Sequence, residues 1–303
     1  MQDITKDSRA VAGHALPIQV ILAHPYQIQY MNGCLLWVDR TKNKLLTIYD
    51  LHKRQVVTQV INQGKGPNEV LPPLQLQVDS LAGTVGLLQR RTGQYVELRF
   101  SDLLCDSIVP VRQFSFDGGA DRCLKLSSDS YLFTYIFPDT VASACISDTT
   151  GKPLRWINTF PSEILELQKP DDRYIKGQSP MAYHAKRKTL CLAYSSLDKV
   201  QFYDLSGHTP MLIREYSIPG LDQEYTPHAQ QTVSTENHIY VLRTEYPGKK
   251  RYIIQFDCEG GVRDCIEVGP ETYRFCVTPD DTKIYTLEQD SAAMPVVAEY
   301  RLR

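Results

Sequence analysis

Leu46-Thr47-Ile48-Tyr49-Asp50 is a β-branched and aromatic run that stops at an aspartate, and the chain repeats it. Val96-Glu97-Leu98-Arg99-Phe100, Ala144-Cys145-Ile146-Ser147-Asp148, Val200-Gln201-Phe202-Tyr203-Asp204, Ile254-Gln255-Phe256-Asp257 and Ala298-Glu299-Tyr300 close in a similar way. The anchors Tyr49, Phe100, Ile146, Tyr203, Phe256 and Tyr300 lie 51, 46, 57, 53 and 44 residues apart. Such a period fits a four-stranded propeller blade with its loops, and it is too long for a leucine-rich or helical-hairpin repeat. The repeat predicts an all-β, six-bladed β-propeller, one domain over residues 1–303.

Each unit divides into strands by composition. In the last, Arg274–Val277, Lys283–Leu287 and Val296–Tyr300 are strand-like and Thr278–Asp281 is a turn. The first reads as Ile28–Met31, Leu35–Val38, Leu45–Tyr49 and Gln55–Ile61. Helical spacing is confined to short pieces such as Ser162–Gln168. The final unit ends at Arg303 one strand short, whereas Leu16–Leu22 is a strand-like run with no partner in the first blade. Because an open ring exposes unpaired backbone groups, residues 16–22 are expected to complete the last blade.

Composition narrows the function. A hydrophobic fraction of 42% supplies a core, and a net charge of −2 gives no overall attraction to nucleic acid. No apolar run reaches the length needed to cross a bilayer, so membrane insertion by this domain is not expected. Residues 1–7 lack the layout of a signal peptide: either the protein stays inside the cell or an export signal lies upstream of Met1. Of the eight cysteines, Cys34, Cys123, Cys145, Cys191 and Cys276 sit in apolar runs and read as small hydrophobes. Cys258 and Cys265 flank Gly260-Gly261, out of register for pairing across a tight turn there. Free thiols are therefore expected, and a zinc-type spacing is absent.

The tract Leu45–Leu51, the loop Gly64-Lys65-Gly66-Pro67-Asn68-Glu69 and the strand Leu76-Gln77-Val78-Asp79 resemble the TolB-like six-bladed propeller lipoproteins of Bacteroides-type bacteria. The resemblance covers the first two blades well and the rest as repeat pattern. It implies an exported, lipid-anchored protein of the periplasm or cell surface, with a lipid-accepting cysteine upstream of Met1. The loop departs from the family's frequent Gly-Glu-Phe ending by reading Asn68-Glu69-Val70. Without a GK[ST] ending and a following helix it is no phosphate-binding loop. Gly64, Gly66, Pro67 and Glu69 read as a fixed inter-blade turn, with positive φ available to the glycines and Glu69 accepting loop N–H groups.

Catalytic patterns are lacking: there is no GxSxG elbow and no HExxH. Asp171-Asp172 and Asp280-Asp281 read as turn aspartates, and Lys186-Arg187-Lys188 and Lys249-Lys250-Arg251 as solvated hairpin tips. Inner strands line a propeller's channel, so residues at their starts gather at one mouth. These are Tyr26, Gln75, Arg122, Lys176, His228 and Arg274, with Gln29 further along the first inner strand. Cationic groups without carboxylates point to a small anionic ligand, with Asp121, Asp172 and Glu271 near enough in sequence to neutralise them as ordinary loop salt bridges. Ser162–Pro180, the longest connection, is placed to cover that mouth. The expected role is a monomeric binding or scaffold propeller for such a ligand or a protein partner, without cofactor or metal. The alternative is a lactonase-type hydrolase with a metal in the channel.

Overall fold

Cys34–Asp39 is buried at every position, which a strand reaches only when both faces of its sheet are covered. Leu36 and Val38 pack toward the next blade, with Leu74, Leu76, Val85 and Leu87. Leu35 and Trp37 point the other way, against Tyr285, Leu287 and Val297 of the last blade. Period-two alternation thus divides each strand between two neighbours. The six hydrophobic clusters among the described residues follow one per blade interface.

The computed structural model describes residues 7–18, 22–40, 43–66, 69–90, 92–116, 119–134, 143–197, 199–217, 229–245 and 250–302. Six sheets form a ring. Blade 1 comprises Pro25–Met31, Cys34–Asp39, Lys44–Asp50 and Gln55–Gln63, and blade 2 Leu74–Asp79, Thr84–Gln89, Gln94–Arg99 and Pro110–Ser115. Arg122–Lys125, Tyr131–Thr134, Ala144–Ser147 and Pro153–Ile157 make blade 3. Blade 4 is Met181–His184, Thr189–Ala193, Lys199–Asp204 and Met211–Ser217; blade 5 is Ala229–Ser234, His238–Glu245, Lys250–Asp257 and Val262–Val268. Blade 6 has Arg274–Val277, Lys283–Gln289 and Pro295–Arg301.

The N-terminal chain closes the ring, in a different register from the expected one. His14 and Ala15 pair antiparallel with Glu299 and Ala298, and the Leu16 N–H donates to Val297 O at 2.8 Å. The ladder lies two residues before the expected start and ends at Pro17, which has no N–H to donate. Residues 19–21 lie outside the described residues. Upstream, Arg9–Ala10 adds a parallel strand to blade 5, fixed by the Arg9–Asp264 pair at 2.7 Å. One segment thus ties two blades together.

The recurring anchor has a geometric cause. In blades 1 to 5 the third and outer strands slip register there, between Ile48/Tyr49, Glu97/Leu98, Ile146/Ser147, Phe202/Tyr203 and Gln255/Phe256. Val57, Val111, Leu154, Ile213 and Arg263 are the extra residues of these bulges, which twist an outer edge away from regular pairing. The following aspartates hold the turn. Asp50 accepts the N–H groups of His52 and Lys53, Asp148 those of Thr150 and Lys152, Asp204 that of Ser206, and Asp257 those of Glu259 and Gly261. Blade 2 departs at Phe100, which begins the short helix Phe100–Leu104 instead of ending a strand, and remains buried.

Candidate functional site

The chain enters each inner strand at one mouth of the channel, and the second strand of the blade returns there. Arg40 and Arg90 therefore stand beside the inner-strand starts, their N–H groups donating to His24 O and Pro73 O at 3.2 Å each. The Arg40 guanidinium lies 5.2 Å from the centre of the Tyr26 ring, a cation–π contact. Arg90 pairs with the Asp121 carboxylate and donates to Asp121 O at 2.9 Å.

Arg122 begins the blade 3 inner strand with its side chain 27% exposed, and its nearest charge partner is Asp121 at 3.6 Å. Its Nε is buried and donates to nothing among the described residues. Burial, with repulsion from Arg90 added, holds this guanidinium below the ordinary arginine range against the pull of Asp121. Arg274, across the ring, is pushed down to about 10 by burial and then by repulsion from Arg122 and Arg90. It donates to Tyr26 O at 2.9 Å and Tyr273 O at 2.6 Å. Arg90, Arg122 and Arg274 thus share one electrostatic environment, in which Asp121 is the counter-charge of Arg90 and Arg122.

The other sequence-predicted residues divide. The Tyr26 hydroxyl accepts the Leu74 N–H at 2.9 Å, joining blades 1 and 2. The Gln75 amide is occupied: its Nε2 donates to Cys123 O at 3.0 Å and its Oε1 accepts the Cys123 N–H at 2.7 Å. Gln231 makes the same two-way clamp on Phe275 at 2.9 Å each way, and Gln29 reaches Leu76 O at 3.4 Å. Neighbouring inner strands do not pair with each other, so these amides satisfy backbone that would otherwise face the channel. Lys176 is exposed on the helix Pro170–Gly177. From that helix Tyr174 instead lies in the field of Asp121, Arg90 and Arg122, so the long connection does approach the mouth. Arg122 and Tyr174 line a cleft of about 30 Å³ between blades 3 and 4, room for one or two waters. Arg274 is not among the residues lining that cleft. His228 and Pro67 lie outside the described residues.

The inter-blade loop differs in detail from expectation. Neither Gly64 nor Gly66 has a positive φ. Both lie against the Glu69 carboxylate, where a Cβ would crowd it, and the Gly66 N–H donates to Glu69 Oε2 at 2.8 Å. Glu69–Val70 then adds a fifth, parallel strand to blade 1. Glycine is required here for close approach rather than for backbone sign.

Two other clusters invite a catalytic reading and do not support one. Cys258 Sγ lies 3.2 Å from His184 Nε2. His184 Nδ1 accepts the Arg187 N–H at 3.2 Å, so the proton sits on Nε2, which faces Glu236 O at 2.9 Å. The ring has no nitrogen left to receive a thiol proton, and burial raises the thiol. At the opposite mouth, Glu97 accepts from Thr84 at 2.7 Å, Lys125 at 2.6 Å and Tyr131 at 3.3 Å, while Lys125 also meets Asp79 at 3.0 Å. That network is internally matched. Among the described residues, no three His, Cys, Asp or Glu side chains gather to hold a metal, and all eight cysteines are free thiols. Asp280 holds its own turn through Thr282, whereas Asp281 accepts from Tyr240 and Asn237 of blade 5 at 2.9 Å each.

Fold and site together define a six-bladed propeller with an arginine-rich mouth. Residues 5–245 match the model of the TolB-like 6-blade propeller-like family, and the chain belongs to that family. A Bacteroides fragilis protein assigned to export is similar in structure (TM-score 0.65, 13% identity, covering 97% of this chain and 95% of that one). So is a member of the DUF4221 family from Bacteroides vulgatus (TM-score 0.64, 13% identity, 97% of each chain). A luciferin-regenerating enzyme shares the fold at 10% identity (TM-score 0.54, 96% and 95% covered), so the fold by itself does not separate binding from catalysis. No curated protein matches the sequence.

Proposed function

We propose that the protein is an envelope-located binding propeller that holds a small anionic ligand on the arginines of its inner-strand mouth. One observation carries this reading. The buried Arg122 Nε has no hydrogen-bond partner among the described residues, the Asp121 carboxylate standing off at 3.6 Å, while Arg90 and Arg274 repel the guanidinium. A bound carboxylate or phosphate would take up that donor and offset the repulsion. Tyr174 on the neighbouring helix would flank the ligand. Family membership and the export assigned to the Bacteroides fragilis neighbour support an envelope location.

Calorimetric titration with phosphate and citrate tests the site. Arg122→Ala should weaken the tighter of the two by about 1.5–3 kcal/mol, the range for hydrogen bonds to charged groups. Lys186→Ala, at a turn of the other mouth, should leave it unchanged. Equal affinities for wild type and Arg122→Ala would remove the proposal.

A further inference from the structure

The seam where the ring closes holds a second set of unmatched donors, far along the blades from the arginine mouth. Tyr49, at the end of the blade 1 third strand, is 1% exposed, and its hydroxyl has no hydrogen-bond partner among the described residues. It lines a cavity of about 400 Å³ between blades 6 and 1, within the size range of small-molecule sites. One wall is the closing segment itself, Ala15, Leu16 and Pro17, with Leu51 beside it.

The polar rim is unbalanced. Arg54, Lys283 and Arg301 face the cavity, and Glu299 is the carboxylate among its lining residues. Glu299 is already matched, by Tyr285 Oη and Lys283 Nζ at 3.1 Å each and Arg301 Nε at 3.2 Å. Arg54 has no ion pair or hydrogen bond among the described residues, and its charge acts on the Tyr49 hydroxyl. Among its lining side chains the cavity thus offers Tyr49 and Arg54 as spare donors and no spare carboxylate, with His14 able to donate or accept at the rim. A buried hydroxyl left without a partner opposes folding, so an acceptor brought from outside would be stabilising.

We infer that this seam cavity binds a small organic oxyanion, a carboxylate or phosphate, through Tyr49 Oη and Arg54. Its short apolar body packs on Leu16, Pro17 and Leu51. Because those residues belong to the segment that closes the ring, occupancy holds that segment in place. The site is independent of the arginine mouth.

Hydrogen exchange at the Leu16 amide, which bonds Val297 O, reads closure directly. The probes are butyrate, inorganic phosphate and, as a cationic control, butylamine. At least one oxyanion should slow Leu16 exchange several-fold in the wild-type protein, and butylamine should not. Tyr49→Phe, which removes a hydroxyl without a protein partner, and Arg54→Ala should each raise the concentration needed about tenfold. Arg122→Ala should leave it unchanged. Three outcomes overturn the inference: no protection by either oxyanion, protection that survives both Tyr49→Phe and Arg54→Ala, or protection lost in Arg122→Ala, which would assign the effect to the mouth.

Discussion

Asp148 illustrates how much of this fold depends on single polar side chains. Its carboxylate takes the Thr150 hydroxyl and two backbone N–H groups, which hold it below the usual carboxylate range. Asp50, Asp204 and Asp257 are lowered too, the first two by backbone donors above all, Asp257 against its burial. A group depressed in the folded state contributes stability that is fully present above its unfolded pKa, near 3.9 for Asp, and lost as pH falls through the folded value. The melting temperature should therefore fall steeply below about pH 4. Asp148→Asn should melt lower at neutral pH and lose less on acidification; a parallel acid profile for wild type and variant would show that the turn does not titrate with folding. Gln75 supports a second prediction at this scale. Because its amide satisfies both backbone groups of Cys123, Gln75→Ala should cost about 1–3 kcal/mol in denaturant unfolding and leave anion affinity intact. Loss of affinity with unchanged stability would return Gln75 to the ligand site.

Among the elements, the N-terminal segment does the most with the fewest residues. Arg9–Ala10 covers the outer edge of blade 5 and His14–Ala15 that of blade 6, while Glu69–Val70 covers blade 1. Among the described residues no further strand covers blades 2, 3 and 4, whose outer edges carry the bulges at Val111, Leu154 and Ile213. Removing residues 1–17 should uncover two edges at once, giving aggregation or a loss of many degrees in melting temperature. A truncated protein that melts with the full chain would show that the ring closes without it. The closing strand was legible in the sequence as a run of apolar residues, but its register was not. The strand ladder uses His14 and Ala15, both exposed and unremarkable in composition, and Pro17 marks its end.

At the scale of the whole molecule, the period was readable because one geometric event, a bulge at the end of the third strand, recurs in blades 1 to 5, followed in blades 1, 3, 4 and 5 by an aspartate-held turn. The mouth was only partly readable. Arg122 and Arg274 follow from the inner-strand starts, but Arg40 and Arg90 come just after the second strands, and only the antiparallel pairing brings them alongside. A search that included the residue after each second strand would have found them. Lys176 failed to join because the helix Pro170–Gly177 turns Tyr174, two residues earlier, toward Arg122. The glutamine clamps were invisible for a different reason: nothing in a lone glutamine indicates that a neighbouring backbone lacks partners.

The arginine mouth makes the most direct claim on function, and crystals grown with selenate locate an oxyanion by its anomalous signal. The account predicts a selenium peak at the inner-strand mouth, with an oxygen within hydrogen-bond distance of the Arg122 guanidinium and the peak gone in Arg122→Ala crystals. Selenate bound elsewhere on the protein, with no peak near Arg122, would contradict it.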